Sequence, residues 1–464
     1  MKRVLVILFF LSSSLSFAQE RNYAQELVDF LLQNRCIEAR ELNVEHAGKI
    51  IENDRALNLL YNALMGRFFN KPDTFSYYIK DFFSNHDYKL QLGQPTNYYY
   101  WKLLKIYADN QQFEAGIELC DEIIELFKRN PFNLDQEFVK NDIIFAEKTK
   151  SILRERAINE PMIKVERSYS EDSVIKLYEN EYIRFDANYN GVQIETWFDT
   201  GCDYYFFTSE SLADKIGVKV INKNQDSTLM MNGVQIKAYE GMIDSIDLKS
   251  VKLYNIPVIV ISDKLTVDLN DASLKDYERT LFEKIFTDKQ IVMGLPVMKL
   301  IGKIEFDWNR NTMSFPKTGE YKSGNNSSNI FLIDNKPFIN LKINGLSYSG
   351  FLDSGSNDFI NMRYSFYEKN INHIEVMDSI AKQQSTFFSI SWTGSSFNMP
   401  YEIVTNAKVY FKGESIDHNI KDVLVVDNPT YFDYLDGFVG IRFLKRLTPG
   451  IILDFNNMEI KRKN

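Results

Sequence analysis

Two short copies of one motif, each an aspartate followed by a hydroxyl residue and a glycine, are the residues of this sequence best suited to chemistry. The first copy reads Asp-Thr-Gly from Asp199, and the second reads Asp-Ser-Gly from Asp353. Two carboxyl groups held side by side share one proton, because like charges at that distance cannot both ionise. Such a pair supplies a general base and a general acid at one site.

The spacing before each aspartate is also repeated. An Asn-Gly pair ending at Gly191 stands eight residues before Asp199, and the pair ending at Gly345 stands eight residues before Asp353. Asn-Gly is a strong signal for a two-residue hairpin turn. The sequence therefore predicts that an Asn-Gly hairpin leads into each aspartate strand at one register.

Further landmarks follow each aspartate in the same order. Two apolar residues precede Gly294 and Gly440, a short apolar segment comes next, and a closing strand carries Asp307 in one copy and Asp454 in the other. A lone Asp-Thr-Gly is weak evidence, because Asp-X-Gly is common in turns. Five landmarks recurring in order indicate a duplicated unit.

The doubled pattern of apolar-apolar-Asp-Thr/Ser-Gly and apolar-apolar-Gly resembles the aspartic peptidase family, with two short lobes similar to fused retropepsin-type units. The resemblance covers roughly residues 173–464 and implies an all-β bilobal acid-protease fold, with lobe 1 at 173–317 and lobe 2 at 329–464. It implies that Asp199 and Asp353 are catalytic, that the substrate is a peptide or protein, and that no cofactor or metal is required.

The same resemblance gives supporting roles to residues around the aspartates. Thr200 and Ser354 would exchange hydrogen bonds across the lobe interface, and the motif glycines would bring backbone N–H groups near the carboxylates. Two further glycines would let a neighbouring strand pass close to each catalytic loop. The supporting set comprises Thr200, Gly201, Ser354, Gly355, Ser356, Gly294 and Gly440.

The first copy departs from the family pattern at Cys202, where Ser or Ala is usual and the second copy has Ser356. A thiol is a weaker hydrogen-bond donor than a hydroxyl, so the first carboxylate is expected to be oriented less firmly. None of the four histidines lies in a motif that would activate a cysteine nucleophile, so an inert thiol is expected. Asp203 and Asp358, just behind the motifs, are expected to be solvated loop or capping residues.

Two segments resemble the flap hairpins of retropepsin-like proteins. The first spans residues 232–241 and includes Tyr239, and the second spans residues 391–397 and includes Trp392. As flaps, these hairpins would close over a bound peptide and bring Tyr239 and Trp392 to it. Ordinary surface hairpins are the alternative for both segments.

Residues 20–158 form a different kind of domain, in which apolar residues recur at helical spacing and β-branched clusters are scarce. One predicted helical hairpin turns at residues 109–112 and resembles a degenerate tetratricopeptide (TPR) repeat, although Leu104 stands where Gly is usual. An ordinary helical bundle remains the alternative. The predicted fold class is thus a TPR-like helical domain followed by the bilobal β region, with the helices offering a surface to a protein partner.

The amino terminus and the composition bear on location. Residues 1–18 combine Lys2 and Arg3, a short apolar run and a small-residue site ending at Ala18, which predicts a cleaved signal peptide and a periplasmic or extracellular protein. No membrane anchor is expected, and a net charge of −9 argues against nucleic acid as a partner. Three cysteines do not suggest a disulfide framework.

Two alternatives to an active peptidase remain open. One is a non-catalytic peptide-binding protein that keeps the cleft between the lobes. The other gives the helical domain an inhibitory role until residues 159–172, expected to be exposed, are cut. Retention of both aspartates, both hydroxyl residues and both glycines favours catalysis, because a binding protein has no need of the proton-sharing pair.

Overall fold

A computed structural model describes most of the chain. The described residues are 22–46, 48–52, 54–168, 174–179, 181–222, 228–231, 234–262, 291–316, 328–377, 386–390, 396–419, 421–426 and 436–463. The predicted signal peptide therefore lies outside them. The chain divides into two compact units between Met162 and Ile163. Within the described ranges, no helix has the length and apolar character needed to cross a bilayer.

The first unit is helical. Its helices are α1 Tyr23–Leu32, α2 Cys36–Glu45, α3 Lys49–Glu52, α4 Arg55–Phe68, α5 Pro72–Ser84, α6 His86–Leu92, α7 Pro95–Asp109, α8 Phe113–Arg129 and α9 Gln136–Asn159. The predicted helical hairpin is formed by α7 and α8, which turn through Gln111 at a positive φ of 53°. Leu103 and Ile123 are fully buried, so each helix turns its apolar stripe inward.

The second unit is built mainly of strands. Its first half, residues 163–316, contains β1 Lys164–Arg167, β2 Ile175–Lys176, β3 Arg184–Tyr189, β4 Val192–Phe198, β5 Phe206–Ser209, α10 Glu210–Ile216, β6 Lys219–Asn222, β7 Thr228–Met231, β8 Val234–Asp247, β9 Val251–Ile261, β10 Ile291–Met293, α11 Leu295–Ile301, β11 Lys303–Asp307 and β12 Thr312–Ser314. Most of these strands form one sheet in the order β1-β9-β5-β10-β4-β3-β8-β6, with β7 paired to β8.

The second half, residues 328–463, contains β13 Ile330–Ile333, β14 Lys336–Ile343, β15 Leu346–Asp353, β16 Ile360–Arg363, α12 Tyr364–Lys369, β17 Thr386–Ile390, β18 Ser396–Ile403, β19 Val409–Phe411, β20 Glu414–Ile416, β21 Val423–Val426, β22 Gly437–Gly440, α13 Ile441–Arg446, β23 Gly450–Asp454 and β24 Glu459–Arg462. Its sheet has the order β17-β18-β21-β16-β22-β15-β14-β19-β20, with β13 paired to β14. A helical region followed by barrel-like sheets is thus the architecture of the chain.

The β structure begins earlier than residue 173, where the sequence pattern placed it. Strand β1 pairs antiparallel with β9, Lys164 lying opposite Tyr254. This pairing occupies part of the segment 159–172 that was expected to be exposed. Its alternation of exposed and half-covered side chains is that of a sheet edge and gives a weak apolar signal, which explains why the sequence did not reveal it.

The two halves repeat each other's hairpin register. Ala187 lies opposite Ile194 in β3 and β4, while Leu341 lies opposite Tyr348 in β14 and β15. Both pairs are related by the same shift in residue number as Asp199 and Asp353. The predicted Asn-Gly turns connect these strands with left-handed backbone at both positions, as a φ of 83° at Gly345 illustrates.

A third sheet, in the order β2-β12-β11-β23-β24, draws strands from both halves. Its centre is the antiparallel pair β11 and β23, in which Glu305 lies opposite Ile452. The flanking hairpins match again, with Phe306 opposite Met313 and Leu453 opposite Ile460. The closing strands of the two halves are therefore hydrogen-bonded to each other about a local two-fold relation.

We expect Gly345→Ala to destabilise the second unit by about 1 kcal/mol, because an L-residue strains in the left-handed region. No atom would lie within 4 Å of the added Cβ, so backbone strain is the only cost. Urea denaturation measures the change. Ser347→Ala on the same hairpin is the matched control; it loses only an exposed hydrogen bond from Asn340 Nδ2 and should shift the midpoint less. Equal midpoints for the two variants would contradict the assigned turn.

Candidate active site

The two aspartates occupy equivalent strand ends. Asp199 follows β4, which runs parallel to β10 with Met293 opposite Phe198, and Asp353 ends β15, which runs parallel to β22 with Val439 opposite Leu352. The flanking apolar side chains are buried, so each strand is fixed on both sides before its aspartate. The sequence thus presents each carboxyl from the end of a rigid strand.

Four hydrogen bonds join the two aspartate loops through Thr200 and Ser354, both fully buried. The Thr200 N–H donates to Ser354 Oγ at 2.9 Å, and the Ser354 N–H donates to Thr200 Oγ1 at 2.9 Å. The two hydroxyls then donate to carbonyls of the opposite strand, Thr200 to Leu352 at 2.7 Å and Ser354 to Phe198 at 3.1 Å. Each loop is therefore held by the other.

This arrangement brings the two carboxyl groups together, and each aspartate acts on the pKa of the other. The Gly201 N–H donates to Asp199 Oδ1 at 2.8 Å, and the Gly355 N–H donates to Asp353 Oδ1 at 2.9 Å. A Cβ on Gly201 would lie 2.7 Å from Asp353 Oδ1, and one on Gly355 would lie 2.7 Å from Asp199 Cγ. Only glycine leaves room for the opposite carboxyl.

The surroundings favour the protonated form of this pair. Desolvation raises the pKa of Asp353 well above its usual range, and the negative charge of Asp199 raises it further. Desolvation also raises the pKa of Asp199, while hydrogen bonds from Gly201, Asp353 and Gly355 oppose that shift. Both carboxyls are therefore disfavoured as anions, and the two titrate as one coupled pair.

Gly294 and Gly440 lie against the loops as the resemblance implied. A Cβ on Gly294 would approach the Tyr204 carbonyl oxygen to 2.0 Å, and one on Gly440 would approach the Asp358 carbonyl oxygen to 2.4 Å. The next residues also match. The Leu295 N–H donates to the Cys202 carbonyl, and the Ile441 N–H donates to the Ser356 carbonyl; each acceptor is the third residue after its aspartate. Their roles in catalysis stay predictions.

The position after each motif behaves differently in the two halves. Ser356 Oγ donates to Asp358 Oδ2 at 2.5 Å, whereas the Cys202 thiol points to the Tyr204 carbonyl oxygen at 3.8 Å. Desolvation raises the pKa of the Cys202 thiol, so this cysteine stays protonated. Asp358 is half-buried and accepts the hydrogen bond from Ser356, and desolvation raises the pKa of its carboxyl.

The flap residues are placed only in part. Strands β7 and β8 pair on either side of residues 232–233, which lie outside the described ranges, and Tyr239 lies on β8 opposite Val260. Strands β17 and β18 pair similarly around residues 391–395, so Trp392 also falls outside the described part of the chain. The described strands beside each segment are antiparallel pairs, and the action of these segments as flaps stays a prediction.

Two residues near the pair were missed by sequence reasoning. Lys336 forms an ion pair with Asp203, its Nζ 3.3 Å from Oδ2, and the charges of Asp353 and Asp358 act on Tyr182. A signal was present, because Tyr182 and Lys336 precede Asp199 and Asp353 by the same number of residues. In the described part of the chain, no group of three acidic, His or Cys side chains could hold a metal ion.

Comparisons with known proteins bear on the first half. A family model described as Aspartyl protease matches residues 185–274, which include Asp199. Among solved structures, a retropepsin-like aspartic protease from Rickettsia conorii aligns at 15% identity over 30% of this chain and 80% of that chain. The TM-score of that alignment is 0.18. No curated protein matches the sequence significantly. The family match supports an aspartic peptidase relationship for this region.

We expect Thr200→Val to lower the free energy of unfolding by about 1 to 3 kcal/mol, because the buried Ser354 N–H would lose its acceptor. Thr208→Val is the matched control. Thr208 is 2% exposed and its hydroxyl has no hydrogen-bond partner, so its loss should be neutral or stabilising. Chemical denaturation measures both variants. Equal destabilisation would show that the bonds between the loops add nothing.

We expect Asp353→Asn to stabilise the protein at neutral pH. A carboxyl whose pKa is raised by folding gives stability that is complete below its unfolded pKa and is lost as pH rises through the folded pKa. The variant should therefore melt higher than wild type at pH 7, and the difference should shrink toward pH 4. Thermal melts across that range measure it.

Asp307→Asn provides a control of opposite sign. The N–H of Arg310 holds the pKa of the Asp307 carboxyl below its usual value, so its stabilisation is present at neutral pH and is lost as pH falls. Asp307→Asn should lower the melting temperature at pH 7. An Asp353→Asn melting curve parallel to wild type over the whole range would contradict the raised pKa.

Proposed function

We propose that the second unit is an aspartic endopeptidase whose halves are two fused retropepsin-type lobes and whose catalytic groups are Asp199 and Asp353. The observation that carries the proposal is the meeting of these two desolvated carboxyls at loops that Thr200 and Ser354 join by hydrogen bonds. Desolvating two acids at one point costs stability, and such pairs are typical of sites that transfer protons. The Aspartyl protease match over residues 185–274 supports the same reading.

In the proposed reaction, ionised Asp199 accepts a proton from a water molecule, whose oxygen attacks the carbonyl carbon of the scissile peptide bond. Protonated Asp353 donates its proton to the carbonyl oxygen, so that a neutral tetrahedral diol forms. Collapse of the diol breaks the C–N bond as Asp199 donates the proton it took from water to the leaving nitrogen and Asp353 accepts a proton from a diol hydroxyl, which restores the starting state. The N–H groups of Gly201 and Gly355 hold the carboxyls in place throughout.

We further propose that the substrate is an extended peptide. Such a peptide would lie between the two halves and pair with the hairpins β7–β8 and β17–β18, which would act as flaps carrying Tyr239 and Trp392. Closing these hairpins would exclude bulk water from the carboxyl pair, and the reaction needs only one water molecule.

For the helical unit we propose an accessory role in binding a protein partner, on an enzyme that is exported to the periplasm or beyond the cell. Exposed apolar side chains on α9 support the binding role, since Phe138, Phe145 and Ile152 recur at seven-residue spacing and are 49%, 56% and 46% exposed. A TPR-like arrangement would suit such a surface. No residue of this unit is assigned to the chemistry.

Asp199→Asn and Asp353→Asn should each lower peptide hydrolysis at least about a hundredfold, because each removes one partner of the acid–base pair. The assay compares purified wild type and variants on a diverse peptide mixture from pH 3 to pH 7, with cleavage read by mass spectrometry. Wild-type activity should fall as pH rises through the raised pKa of Asp353, since the general acid is then lost.

The control for this assay is Asp307→Asn, which removes a carboxyl that belongs to neither aspartate loop and should retain hydrolysis. Activity surviving in either catalytic variant would refute the mechanism. A wild type that binds peptides without cutting them, also after removal of residues 20–160, would instead favour the non-catalytic peptide-binding protein.

A further inference from the structure

Tyr182 and Lys336 occupy equivalent places in the two halves but differ in charge. Each stands seventeen residues before an aspartate of the pair. Tyr182 packs against Trp197 in a tilted arrangement, with ring centroids 4.7 Å apart, and Lys336 Nζ lies 5.5 Å from the centroid of Phe351. Trp197 and Phe351 are themselves equivalent, each two residues before its aspartate. The same platform therefore carries a phenol in one half and an ammonium group in the other.

Lys336 spans the seam between the halves. Its Nζ lies 3.3 Å from Asp203 Oδ2, four residues beyond Asp199, although Lys336 belongs to the second half. The ring beneath it, Phe351, lies on the same strand as Asp353 and two residues away, so both side chains point to one face. The Lys336 side chain is 21% exposed, and its charge acts on Asp353. The cation is thus fixed from both sides beside the pair.

The opposite side of the seam is held by a different polar contact. Asn357, the equivalent of Asp203, donates from Nδ2 to Glu181 Oε2 at 2.7 Å. Desolvation raises the pKa of the neighbouring Tyr182 to about 12, so this phenol is neutral at the pH values of a working peptidase. Sequence differences at equivalent positions therefore make the environments of the two aspartates unequal.

We infer that Lys336 is a positioning residue that holds a positive charge beside Asp353 and so sets the pH at which the aspartate pair gives up its shared proton. The kinetic part of this inference rests on the proposed function, whereas the electrostatic part does not. Among the described residues, the other titratable groups coupled to Asp353 are Asp199, Asp358, Tyr182 and Cys202. Lys336 is positively charged, so its charge favours the ionised form of Asp353.

Lys336→Met tests this, because methionine keeps the apolar stem over Phe351 and removes the charge. Losing a nearby cation disfavours the carboxylate, so the alkaline fall of kcat/KM should move to higher pH by about 0.5 to 1 unit. Lys336→Arg should restore the wild-type profile. Tyr182→Phe, which changes no charge at the equivalent place, is the matched control and should leave the profile unmoved. A Lys336→Met profile that coincides with wild type overturns the inference.

A second measurement needs no hydrolysis. Folded-state stability should decline with rising pH until Asp353 ionises, and Lys336→Met should extend that decline to higher pH by a similar amount. In an Asp353→Asn background the same substitution should leave the pH dependence unchanged, since the coupled group is gone. An equal shift in both backgrounds overturns the inference. A shifted stability curve in a protein that never cleaves peptides keeps the inference and rejects the proposed function.

Discussion

The reciprocal hydrogen bonds between Thr200 and Ser354 are the constraint on which the rest of the second unit depends. Bringing Asp199 and Asp353 together removes two acids from water and sets like charges against each other, and both effects oppose folding. Loops that met only through these carboxyls would separate. The four buried bonds hold the loops independently of the protonation state, so the pair can gain and lose a proton without losing its geometry.

The duplicated register explains how a single chain achieves this placement. Because the hairpins β3–β4 and β14–β15 have equal registers, each aspartate lies at the equivalent position of its strand. The pairing of β11 with β23 joins the two halves in one sheet. Equivalent residues of the same type, such as the hydroxyl residues Thr200 and Ser354, hold the two aspartate loops in the same geometry. Where they differ, as at Cys202 and Ser356 or at Tyr182 and Lys336, the two aspartates acquire unequal surroundings.

Local signals carried much of this structure. The Asn-Gly turns and the aspartate motifs are short-range patterns, and each appears where the spacing predicted it. The sequence did not show how far Asp358 is desolvated, because desolvation depends on the packing around it; Asn361 and Arg442 oppose the resulting rise in its pKa. Strand β1 was missed because the strand with which it pairs, β9, lies far along the chain, Lys164 being opposite Tyr254. The apolar periodicity predicted the α7–α8 hairpin but says nothing of what the exposed residues of α9 meet.

The sheet that β11 shares with β23 makes the halves behave as a dimer whose subunits happen to be covalently connected. A strand of one half completes the sheet of the other, so neither half can melt without stripping hydrogen bonds from its neighbour. The connecting segment after Ser314 then serves chiefly to raise the effective concentration of one half around the other. A chain nicked between Ser314 and Ile330 would accordingly stay together as a non-covalent heterodimer, and exchange of its two pieces would be slow.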